Sequence, residues 1–69
     1  MSLGSEIKKA RADKHWKQQD LVIETRLSQK YLSAIELDKV DPRFSIVQRI
    51  ARALEVSIDQ LGREEHVHG

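Results

Sequence analysis

The chain has 69 residues, no cysteine and a net charge of +1. This length holds one domain, the lack of cysteine excludes disulfides and thiolate metal sites, and no apolar run approaches the ~20 residues of a membrane-spanning helix. Below about 70–80 residues a single core is marginal without a staple, so stability must come from efficient helix packing or self-association. The opening MSLGSEIKK is too polar for a signal peptide, and a cytoplasmic location is expected. Charge is unevenly spread. Lys8, Lys9, Arg11, Lys14, Lys17, Arg26 and Lys30 against Glu6, Asp13, Asp20 and Glu24 leave residues 1–34 at +3, whereas Arg63 against Asp59, Glu64 and Glu65 leaves residues 57–69 at −2. A basic front and an acidic tail suit a protein with one face on phosphate.

Residues 4–14 are predicted as the first helix. Ile7, Ala10, Arg11 and Lys14 recur at helical spacing, with Leu3 one turn before Ile7. Arg11 puts a charge on this inner stripe, which calls for a partner. Lys17–Glu24 is predicted as the second helix, with Trp16 and Leu21 spaced as a hydrophobic staple around a cap at Lys17. Lysine brings no acceptor to the free N–H groups of a first turn, and Asp20 partly offsets this through the helix dipole. Leu21 and Val22 face inward.

Thr25, Arg26 and Leu27 form the next turn. Ser28 caps the third helix, with Leu27 and Leu32 as a second staple. Tyr31, Leu32 and Ile35 are expected to be buried, and Gln29, Lys30, Ser33, Ala34 and Leu37 lie on the other side. Glu36 follows Leu32 by one turn and joins the inner stripe, so Arg11 and Glu36 are predicted to pair between the first and third helices.

Asp38 to Arg43 reads as a loop containing the only proline, Pro42. Phe44–Leu54 is the fourth helix, with Val47, Ile50, Ala51 and Leu54 inward. Ser57 with Gln60 is a capping box, and Val56 with Leu61 a third staple, which together predict a short fifth helix. Residues 62–69, GREEHVHG, read as a flexible tail in which His66 and His68 are accidental rather than metal ligands. His15 ends the first helix. Nothing reads as a strand, a repeat or a low-complexity segment. No nucleophile–base pair, glycine-rich phosphate loop or metal set is present, so neither an enzyme nor a cofactor is expected.

Within residues 17–37, two short amphipathic helices stand a few residues apart. The second is opened by a cap and carries a polar outer face, the pattern of a helix-turn-helix. Gly4, Ile7, Arg11 in register with Glu36, Gln18, Leu21, Ser28, Leu32, Ile35, Pro42 and the run IARALEVS from Ile50 to Ser57 occur in order. Residues 4–61 thereby resemble the Xre-type (Cro and phage-repressor, lambda-repressor-like) helix-turn-helix domain. The resemblance implies a compact all-α five-helix bundle with the third helix in the major groove of DNA and the second across the backbone.

Carried over residue by residue, it implies base contacts from Gln29, Lys30, Ser33 and Ala34, and phosphate contacts from Lys17, Gln18, Ser28, Lys39 and Arg43. Glutamine suits adenine and lysine suits guanine in the major-groove code. Arg11 and Glu36 would be a structural ion pair, and Leu54, Val56, Ile58 and Leu61 a homodimer surface. The implied function is a DNA-binding transcriptional regulator, a repressor, acting as a homodimer on a pseudo-palindromic operator. The alternative is an antitoxin-like protein-binding module of the same fold, with Glu64 and Glu65 in a segment for a toxin or polymerase partner. The chain departs from the family pattern at Val22, where alanine is frequent, at Arg26 and Asp38, where glycine is frequent, and at Lys17, where serine or threonine is usual.

Overall fold

A computed structural model describes residues 2–62. Among them are four α-helices, α1 (Leu3–Asp13), α2 (Gln18–Thr25), α3 (Gln29–Glu36) and α4 (Phe44–Leu54), followed by a single 3-10 turn, Asp59–Leu61. No described helix is long and apolar enough to cross a membrane. The core is Ile7, Leu21, Leu27, Leu32, Ile35, Val47, Ile50, Ala51, Leu54 and Leu61, with Leu3, Ala10, Trp16, Val22, Tyr31, Val56 and Ile58 packed partly buried around it.

The helix starts follow their caps. α1 begins one residue before the predicted start because Ser2 is its cap. The Ser2 hydroxyl accepts the Ser5 N–H at 3.1 Å, and the Ser5 hydroxyl accepts the Ser2 N–H at 3.2 Å. Lys17 stands at the cap of α2 without a side-chain bond, as its chemistry predicts, and Asp20 Oδ2 instead accepts the Lys17 N–H at 2.8 Å.

The helix ends share one device. A left-handed residue that is not glycine follows each α-helix: His15 (φ 58°), Arg26 (φ 59°), Asp38 (φ 59°) and Glu55 (φ 59°). After α1, the N–H groups of His15 and Trp16 return to the carbonyls of Ala12 and Arg11, at 2.9 Å each. The same paired return closes α3, from Asp38 to Ile35 and Lys39 to Ala34, and α4, from Glu55 to Arg52 and Val56 to Ala51. These are Schellman closures, whereas α2 ends with the single bond from Arg26 to Val22.

The predicted fifth helix is corrected to one 3-10 turn. The box forms as expected, the Ser57 N–H donating to Gln60 Oε1 at 2.8 Å and the Gln60 N–H to Ser57 Oγ at 3.1 Å. The N–H groups of Gln60, Leu61 and Gly62 then reach carbonyls only three residues back. Gly62, left-handed at φ 79°, closes the turn before an α-helical bond is made. Apart from Gly62, the predicted tail lies outside the described residues, with Glu64, Glu65, His66 and His68.

α3 is seated against α1 at Gly4. A Cβ on Gly4 would run into the Glu36 carbonyl oxygen, 2.7 Å from its carbon and 2.8 Å from the Ile35 oxygen. The two backbones approach so closely that only glycine fits. Asp38, just past α3, accepts the Gly4 N–H on Oδ1 at 2.9 Å, satisfying a donor that the first turn of α1 leaves free.

Candidate nucleic-acid interface

The turn between α2 and α3 is closed without glycine. Thr25, 1% exposed, donates its hydroxyl to the Leu21 carbonyl at 2.7 Å and accepts the Leu27 N–H at 3.4 Å. Arg26 takes the left-handed conformation that the family pattern gives to glycine, at a cost on the order of 1 kcal/mol. Leu27 then enters the core, and the Ser28 hydroxyl accepts the Tyr31 N–H at 3.0 Å to start α3.

α3 divides into two faces. Leu32, Ile35 and Glu36 are buried and Tyr31 is half-buried. Gln29 and Lys30 stand fully outward at its N-terminal end, where neither side chain bonds to the protein. Ala34 is half-buried and presents only a methyl group, a shape suited to a thymine methyl. Leu37, at the other end of this face, is 57% exposed.

Beneath that face runs a polar chain. Glu36, 4% exposed, receives Arg11 Nε on Oε2 at 3.0 Å and Arg11 Nη2 on Oε1 at 3.1 Å, the bidentate arrangement that suits a guanidinium. The third guanidinium nitrogen, Nη1, donates to the Trp16 carbonyl at 3.0 Å. Gln18 Nε2 donates to Glu36 Oε1 at 3.2 Å, and Ser33 Oγ donates to Gln18 Oε1 at 3.0 Å. The chain thus joins α1, the α1–α2 connection, the first residue of α2 and the middle of α3. The Arg11–Glu36 pairing expected from the inner stripes is present, and among the described residues no buried side-chain N or O atom lacks a partner.

Ser33 is the sequence-predicted base contact that the structure redirects. It lies on the expected face, but its one hydroxyl proton is given to Gln18, so it has no donor left for a base. Spacing alone did not reveal this, because the acceptor is 15 residues away on another helix. Gln18 is likewise engaged at both ends of its amide, with one N–H remaining. Ser28 caps α3 as an acceptor and keeps its own hydroxyl proton. Lys17, Lys39 and Arg43 are exposed, Lys17 and Arg43 at the caps of α2 and α4, where neither makes a side-chain cap bond.

Two carboxylates missed by sequence reasoning are held below their ordinary range. Asp38 is lowered by the Ser2 hydroxyl first, then by the Gly4 N–H, with a smaller contribution from the Lys8 charge. Glu55 is lowered by its bond to Lys14, whose Nζ lies 2.9 Å away and 4.7 Å from the centre of the Trp16 ring. Asp38 stands two residues past the buried Glu36, a place that by itself names no partner. Its partner Gly4 lies 34 residues earlier, beyond any local pattern.

The expected dimer surface needs a correction. Leu54 and Leu61 are 2% and 0% exposed and belong to the core of one chain, so their side chains offer no area to a second copy. Val56 and Ile58 are half-buried at the surface beside them.

Comparison with known proteins gives a consistent result. A family model described as helix-turn-helix matches residues 7–61. The chain is 32% identical over 65 residues to the immunity repressor protein of Bacillus phage phi105, an overlap of 94% of this chain and 45% of that protein. It therefore spans about half the length of this curated relative. The N-terminal DNA binding domain of SinR from Bacillus subtilis is 27% identical and superposes with a TM-score of 0.81, over 94% of this chain and 96% of that one. A hypothetical transcription factor from Neisseria, NHTF, is 30% identical with a TM-score of 0.81, over 86% of this chain and 68% of that one.

Proposed function

This chain belongs to the Xre-like helix-turn-helix family of DNA-binding transcriptional regulators, and on that premise we propose that it is a repressor that reads double-stranded DNA with α3 in the major groove. The observation that carries this reading is the pair Gln29 and Lys30, both exposed at the N-terminal end of α3 and neither bonded to the protein. In this motif the N-terminal residues of the second helix meet base edges. Ala34 adds an apolar contact from the same face.

Around this face, Lys17, Ser28, Lys39 and Arg43 hold phosphates. The remaining amide N–H of Gln18 does the same from the start of α2, where the helix dipole favours an anion. The cations supply affinity without sequence information and make it depend on salt, whereas Gln29 and Lys30 supply discrimination. The chain acts as a homodimer on a pseudo-palindromic operator with half-sites about 34–36 Å apart, and occupancy excludes polymerase. Val56 and Ile58 contribute to contact between the two copies.

Selection of bound duplexes from a random pool tests the whole reading. The expected result is a two-fold symmetric consensus whose half-site spacing reports the dimer. A pool that shows no enrichment overturns sequence reading, and a single asymmetric half-site overturns the homodimer.

A further inference from the structure

We propose that Ser33 is a positioning residue that acts on DNA through Gln18, fixing that amide so that its one uncommitted N–H is presented to a phosphate. The inference rests on the DNA reading above and assigns Ser33 a different task from the bases beside it.

A glutamine amide at the start of a surface helix normally has free torsions, and ordering it on binding costs entropy. Here both ends are already held. Gln18 Oε1 accepts the Ser33 hydroxyl at 3.0 Å, and Gln18 Nε2 donates to Glu36 Oε1 at 3.2 Å. The two partners also decide the amide's orientation. The Ser33 hydroxyl donates its proton, because Glu36 can only accept, so oxygen faces Ser33 and nitrogen faces Glu36. Glu36 is in turn fixed by two bonds from Arg11, so the lock is anchored to α1. Of the two N–H groups of the Gln18 amide, one is given to Glu36 and the other has no protein partner. It lies at the N-terminus of an eight-residue helix whose first residue is Gln18 itself.

Because the lock prepares a phosphate contact, it contributes to affinity on every duplex and not to the choice between duplexes. Ser33 and Gln18 therefore behave as one unit. The Ser33 hydroxyl is the required group: Ser33→Thr retains it, while Ser33→Ala removes it and leaves the amide held at the Glu36 end alone.

The experiment compares wild type, Ser33→Ala, Ser33→Thr, Gln18→Ala and the double variant Ser33→Ala/Gln18→Ala. Each is measured on a duplex recovered by selection and on a scrambled duplex of the same length, with side-chain amide NMR of the free proteins. Ser33→Ala is expected to weaken binding to both duplexes equally, by about threefold to tenfold, the worth of one hydrogen bond. The double variant should bind no more weakly than Gln18→Ala. The Gln18 amide signals should move toward those of a solvated amide in Ser33→Ala and stay in place in Ser33→Thr.

Loss confined to the selected duplex means that Ser33 touches a base, which overturns the proposal. Unchanged affinity, or losses that add in the double variant, overturns it as well. A wild-type chain that binds neither duplex overturns the DNA reading and this proposal together, and in that case the amide signals still show whether the lock forms.

Discussion

Asp38 and Gly4 are joined by a 2.9 Å hydrogen bond by which the end of α3 adds a second cap to α1, beside that of Ser2. The glycine admits the α3 backbone and the aspartate, left-handed at φ 59°, then turns back onto it. Glycine is frequent at the position of Asp38 in the family pattern. A glycine there would ease the backbone and remove the acceptor.

The pH dependence of stability follows from this bond. The folded pKa of Asp38 lies below the ordinary value of 3.8, through the Ser2 hydroxyl and the Gly4 N–H. A depressed carboxylate stabilises the fold fully above its unfolded pKa, and that contribution is lost as pH falls through the folded pKa. Urea midpoints recorded from neutral to acid pH should fall over this acid range in the wild type, and the fall should be shallower in Asp38→Asn.

Gly4→Ala separates packing from propensity. Helix propensity alone favours alanine by up to about 1 kcal/mol. The added Cβ collides with backbone of Glu36 and Ile35, which cannot rotate away, so a net loss of about 1–3 kcal/mol is expected in chemical denaturation. A stabilised variant would show that α1 and α3 do not meet as described.

Arg26→Gly should act in the opposite direction. It relieves a left-handed arginine that makes no side-chain bond, a gain of up to about 1 kcal/mol less the extra freedom of the unfolded chain. Asp38→Gly at the same φ should not show this gain, because it also unbinds the Gly4 N–H. Thermal melts of the two variants side by side make the comparison.

Glu36→Ala leaves a guanidinium that is 18% exposed without its carboxylate and should cost about 3–5 kcal/mol, a large share of the stability of so small a domain. Replacing both partners with apolar residues, Arg11→Met with Glu36→Leu, should recover much of the loss. A Glu36→Ala transition close to that of the wild type would refute the pairing as a source of stability.

On DNA, Gln29→Ala and Lys30→Ala should each cost about 1–3 kcal/mol on a selected site and much less on scrambled sequence. Lys39→Ala or Arg43→Ala should weaken both alike and lower the salt slope by about one unit. Equal losses on both duplexes for Lys30→Ala would move that residue to the phosphate group.

The sequence was legible where a local pattern carried the signal. α4 has its predicted limits because four apolar residues at helical spacing define it, and Ser28 marked the start of α3 through its cap. The Arg11–Glu36 pair could be read because each charge interrupts an apolar stripe. What was not legible depends on distant partners or on counting bonds. The lock between Ser33 and Gln18 and the cap from Asp38 to Gly4 join residues whose neighbours in the chain give no hint of the meeting. The fifth helix failed on length: its box was correctly seen, but only four residues lie between Ser57 and a left-handed glycine, Gly62. Leu54 and Leu61 have the composition of an interface, and only their complete burial in one chain assigns them to the core.

The polar chain beneath α3 also limits how this scaffold can be reprogrammed. Positions 32, 33, 35 and 36 are tied to the rest of the molecule by burial or by bonds, while 29, 30, 34 and 37 make no side-chain hydrogen bond to it. A library randomised at the latter four would sample new target preferences on an unaltered frame. One that swapped the entire helix would cut the ties to α1 and α2 and lose the frame along with the old preference.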